Sequence, residues 1–182
     1  MQKLPTQGEP VELRNFFGRA IRASFQDLAL DDEAAATYLT DLLTRFARTE
    51  HLYPTGAALP RLETVVDMML EVQAAWQDAG PHFRPEYEVA VRRHIGDYTL
   101  FMTGVFRERV ERVSGTGFYI SQGKRAYQFV SEHARARASA DGAPPFRRLA
   151  ERFESFAGAL DYARRVYFHD GPGHPFLRLA FE

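Results

Sequence analysis

The residues of this chain with the most chemistry to offer lie between Arg92 and Tyr127. Arg92-Arg93-His94-Ile95-Gly96-Asp97-Tyr98-Thr99-Leu100-Phe101 places a histidine and a carboxylate inside an apolar stretch, and Tyr119 and Gln122-Gly123-Lys124-Arg125-Ala126-Tyr127 follow after a Gly-rich turn. An imidazole can serve as a general base or a ligand contact. Asp97, three residues on, is close enough on a helix surface to bond one imidazole nitrogen or to receive an arginine from a neighbouring helix. Lys124 is one of two lysines among 23 Lys and Arg residues, and its compact ammonium is chemically unlike a guanidinium. These residues define a candidate ligand-binding set of His94, Asp97, Tyr98, Tyr119, Lys124 and Tyr127.

The same residues admit a purely structural reading. His94 falls within an apolar stripe, where an imidazole buried without a partner costs about 1–3 kcal/mol, so a core histidine would be held by Asp97 or a tyrosine hydroxyl. Lys124 and Arg125 would then lie on a solvated face. Gly123, at a cost of about 1 kcal/mol relative to alanine in mid-helix, would mark a close helix–helix approach. The sequence leaves both readings open.

Other chemistries lack their residues. With no cysteine in 182 residues, disulfides, thiolate catalysis, Cys-ligated zinc and iron–sulfur clusters are excluded. Paired Glu-x-x-His, His-Glu-x-x-His, Gly-x-Ser-x-Gly, a phosphate-cradling loop and a dinucleotide fingerprint are all missing. His169-Asp170 stands in a Gly- and Pro-rich tail with no following helix to add a carboxylate. No metal and no cofactor are expected. A formal net charge of −1 supplies no field for polyanions, and the arginine pairs at 92–93, 147–148 and 164–165 sit opposite the apolar stripes, so no nucleic-acid partner is expected. No stretch approaches the ~20 apolar residues of a membrane span, and the N-terminus lacks the apolar run of a signal peptide. The expectation is a cytoplasmic protein with no membrane partner.

The elements that must position these groups are helices. Apolar residues recur at spacings of three and four over about 10–29, then from an Asp31-Asp32 cap to about 49, and over about 61–78, 85–106 and 118–139. A sixth helix carries Phe146, Leu149, Phe153, Phe156, Leu160 and Val166. In the third, Leu62, Val65, Val66, Met69, Val72 and Trp76 are expected to share the buried face. No alternating run of strand length competes. The predicted fold is all-α, a single-domain bundle of about six helices over residues 1–182, with 168–182 an irregular C-terminal tail. Any pocket for the candidate residues lies between the fourth and fifth of these helices.

The strings at 92–101, Thr103-Gly104 and 122–127 resemble those of a family of bacterial proteins of similar length that carries no established activity. Arg107 and Ala126 stand where that family's pattern has Pro and Ser. The resemblance implies a helical soluble protein and no particular reaction. Two function classes follow. One is a non-enzymatic protein acting as a homodimer or with a protein partner, favoured by an aromatic surplus that includes Phe16, Phe17, Phe146, Phe168, Phe176, Leu177 and Phe181 near the chain ends. The other is a small-molecule-binding protein or enzyme with a pocket around His94.

Overall fold

The computed structural model describes residues 9–47, 64–77, 85–113, 115–137 and 145–170. Among them the elements are α1 (Glu9–Asp27), α2 (Glu33–Phe46), α3 (Val65–Gln77), α4 (Pro85–Val105), α5 (Arg107–Val113), α6 (Thr116–Arg137), α7 (Phe146–Glu151) and α8 (Phe153–Tyr167), followed by a 3₁₀ turn, Phe168–Asp170. No strand occurs among the described residues, so the chain is all-α.

α1 and α2 form an antiparallel hairpin, in which Arg22 meets Glu33 near the turn and Arg14 meets Asp41 two turns away. Asp32 caps α2 by accepting from the Ala35 amide at 2.9 Å, which satisfies one of the unpaired donors of the first turn. Its second oxygen accepts from Arg148 Nε at 2.6 Å, tying α7 to the same corner. Thr64 and Asp67 satisfy each other's backbone amides at the start of α3, with bonds of 3.1 and 3.0 Å, the reciprocal arrangement of a capping box.

α4 is the central helix. It packs against α2, α3, α6 and α8, and from Ile95 to Val105 every residue except Met102 is buried. Over that stretch the helix has no solvated face, which is why polar residues there must find partners inside the protein. The described core is one continuous cluster of side chains.

Among the described residues there are eight helices, a little more than the six or so expected, because one predicted segment divides and one short helix is added. The fourth keeps its expected span and is followed, after Phe106, by the short α5, which lies outside the predicted segments, and Arg152, at φ −115° and ψ 28°, divides the sixth into α7 and α8. The break at Arg152 lets one apolar sequence serve two partners: α7 packs on α6, while α8 packs on α4 and α1.

Two packing expectations are corrected. Val65, Met68 and Val72 form the buried face of α3, whereas Val66 and Met69, expected inside, are exposed; Leu62 and the Trp76 side chain lie outside what is described. Phe16, Phe17, Phe146 and Phe168, expected as surplus surface aromatics, are buried. Phe168 closes the end of the core against Phe16 and Phe17, at ring separations of 5.9 and 5.4 Å. Residues 171–182, with Phe176, Leu177 and Phe181, lie outside the described residues.

No described helix is long and apolar enough to cross a membrane.

Candidate functional site

Three helices bring side chains to one carboxylate. Tyr38 and Arg45 are seven residues apart on α2, two turns and therefore one side. α4 carries Arg93 and Asp97 one turn apart, and α6 supplies Tyr127. Gly96 makes the approach possible, because a Cβ there would stand 2.6 Å from the Tyr127 ring.

Asp97 is 1% exposed. Its Oδ1 accepts from the hydroxyls of Tyr38 at 2.6 Å and Tyr127 at 2.8 Å, and its Oδ2 accepts from Arg45 Nη2 at 2.9 Å. Arg93 Nε donates to the Tyr38 oxygen at 3.2 Å and lies 3.9 Å from Asp97 Oδ2. Phe146 covers the phenols, stacked on Tyr127 and edge-on to Tyr38. A carboxylate out of water survives as an ion only when paired and hydrogen bonded, and here both oxygens are engaged.

Burial, reinforced by the charge of Asp97, pushes the Tyr38 and Tyr127 phenols above their ordinary value. Both therefore remain protonated donors at neutral pH. A carboxylate with each oxygen already accepting, beside phenols that hold their protons, is poorly suited to taking a proton from a substrate. What faces outward is different: the Arg45 and Arg93 side chains are 39% and 47% exposed.

The six sequence candidates are distributed over three places. Asp97 and Tyr127 bond directly. His94, half-buried, sits edge-on to Phe46 at 5.8 Å and 6.3 Å from the Tyr98 ring, and Tyr98 is 6.4 Å from Tyr119; these three make an aromatic row beside the hydrogen-bonded centre. Asp97 turns to the tyrosines and Arg45 rather than to His94. Lys124 stands apart, its Nζ bonded to both Glu154 oxygens at 3.0 and 3.1 Å across α6 and α8. Along the middle of the α4–α6 contact the space is taken by side chains, since a Cβ on Gly123 would fall on the Phe153 ring and the Thr99 hydroxyl.

Tyr38, Arg45 and Arg93 belong to the centre and are absent from the sequence-derived set. Their signal is indirect: a carboxylate in a mostly apolar stretch of helix requires donors, and Tyr38 with Arg45 is a pair on a single face of α2.

Two surface features stand outside this centre. A cleft of about 250 Å³ between α1 and α2 is lined by Arg14, Arg19, Arg22 and Thr37, with Arg14 and Arg22 already paired to Asp41 and Glu33. On α3, Val66, Met69 and Leu70 are 53%, 39% and 57% exposed, and the exposed Gln73 and Ala74 continue the same side. Among the described residues no group of three His, Asp or Glu side chains is arranged to hold a metal ion. In comparisons with known proteins, no protein family, no curated protein and no solved structure matches the chain.

Proposed function

We propose that this is a cytoplasmic, non-enzymatic helical protein that acts by self-association, as a homodimer joined through the outer face of α3. The observation that carries the reading is the exposure of Val66, Met69 and Leu70 on a helix whose opposite face is already buried. Residues 66, 69, 70, 73 and 74 recur at spacings of three and four, the stripe by which one helix packs on another. Fully burying a large aliphatic side chain is worth about 1.5–3 kcal/mol, so three per copy can offset part of the cost of association. The stripe carries no charge of either sign, and such a face can meet its own copy without like-charge repulsion. A formal net charge of −1 adds little repulsion between copies.

The test is light scattering coupled to size exclusion on the full chain at micromolar concentration. The expected mass is twice 20.8 kDa, and Leu70→Glu is expected to return the chain to a monomer with an unchanged far-ultraviolet dichroism spectrum. A wild-type monomer, or a dimer indifferent to Leu70→Glu, overturns the proposal.

A further inference from the structure

Among the described residues, one carboxylate answers two guanidiniums where α2 meets α4. Asp97 is the acid that pairs with Arg45 and with Arg93, whereas Arg14, Arg22, Arg107 and Arg147 each have a separate acid. The inward side of Asp97 is taken by two neutral phenols. Among the described residues one positive charge is therefore left uncompensated, and it lies on the outward side.

We infer that Arg45 and Arg93 together form a binding site for a single oxyanion, the phosphate or carboxylate group of a small ligand, with Asp97 as the positioning residue. Free arginine side chains lose about 2 kcal/mol of rotamer entropy on being fixed; these two are already fixed. Arg45 is held by its bond to Asp97 and lies 5.6 Å from the Phe46 ring centre. Arg93 is held by its bond to Tyr38 and lies over the Tyr38 and Phe146 rings at 5.6 and 5.5 Å. A guanidinium has five N–H donors, and the described internal bonds take one Nη2 proton of Arg45 and the Nε proton of Arg93. The other donors belong to half-exposed groups. Both guanidiniums reach the same Asp97 oxygen, at 2.9 and 3.9 Å, so one phosphate or carboxylate is large enough to touch both. Charge-assisted bonds from paired arginines are the strongest that a protein surface offers such a group.

The site is independent of the α3 interface, and the experiment keeps the two apart by working in the Leu70→Glu chain as well as in wild type. Arginine side-chain resonances are followed by ¹H–¹⁵N NMR while inorganic phosphate, or in a parallel series acetate, replaces chloride at constant ionic strength. The expected result is saturable movement of the Arg45 and Arg93 signals with at least one of the two anions, with Arg14 and Arg22 unmoved. Arg93→Gln and Arg45→Gln should each weaken that binding by about tenfold or more, while Arg22→Gln should leave it unchanged. Movement that never saturates, that is equal at all four arginines, or that survives in a folded Arg93→Gln or Arg45→Gln chain overturns the inference. The wild-type titration alone can do so if a variant fails to fold.

Discussion

Asp97 takes the bonds of two phenols and a guanidinium, so its removal strands more groups than any other single change at the centre. Asp97→Ala leaves the Tyr38 and Tyr127 hydroxyls and Arg45 without their acceptor, and the expected loss is about 3–5 kcal/mol. Asp97→Asn keeps an acceptor but not the charge, and about 1.5–3 kcal/mol should be lost. Urea titration orders the two variants, and a near-zero effect of both would show that the centre does not support the fold. The phenols also set a pH dependence. Because burial first and Asp97 second raise both phenols above the ordinary value near 10, the folded chain keeps protons that the unfolded chain releases from about pH 10 upward. Their contribution is complete below that pH and is lost as pH climbs toward the folded-state values. Stability measured by urea titration should fall above about pH 10, less steeply in Tyr38→Phe, and an equal slope in both chains would contradict the assignment. Helical periodicity singles out Asp97 and Tyr127 in the sequence but sets Asp97 at the edge of a stripe, because a stripe describes one face and α4 is enclosed on several. Arg93 reads as a surface residue for the same reason, and Arg45 is not singled out at all: periodicity reports which side a residue takes, not that a carboxylate underneath has recruited it.

At the scale of elements, glycine was the legible signal and helix faces were the less legible one. Gly123 in mid-helix implies close packing, and Phe153 with Thr99 occupies the space that a Cβ would need. Gly96 and Gly104 serve in the same way toward Tyr127 and Leu160. Alanine has the better helix propensity by about 1 kcal/mol, yet overpacking costs about 1–3 kcal/mol, so Gly96→Ala and Gly104→Ala should both lower the unfolding midpoint. Gly158 on α8 is the internal control, since nothing lies within 4 Å of a Cβ placed there; Gly158→Ala should raise the midpoint. A rise for Gly96→Ala would mean that Tyr127 does not pack as described. α3 shows where periodicity stops deciding. Residues 65, 68 and 72 and residues 66, 69, 70 and 73 both follow helical spacing, so two faces compete for the core and the winner depends on neighbours distant in sequence. The break at Arg152 is hidden for a related reason: apolar spacing continues through it while the buried face changes partner from α6 to α4 and α1.

For the whole molecule, the all-α class follows from composition and period alone, while which apolar side chains stay exposed does not. Aromatic residues near the chain ends point toward an exposed apolar patch, but folding consumes Phe16, Phe17, Phe146 and Phe168 within the core. Among the described residues, the exposed large apolar side chains that fall together on one helix face are Val66, Met69 and Leu70 of α3, whose pattern gives it more apolar residues than one buried face can use. If two copies bury that face, folding and association are linked, and the folded state gains stability from its own concentration by mass action. The apparent unfolding temperature of the wild-type chain should therefore rise as its concentration is increased over a hundredfold range, as read by scanning calorimetry or dichroism. In Leu70→Glu the temperature should not depend on concentration, because a monomer has no association term. Since Leu70 is more than half exposed, the substitution should leave the dilute-limit temperature close to that of wild type. A wild-type temperature unaffected by dilution would place the apolar face of α3 outside any interface between copies.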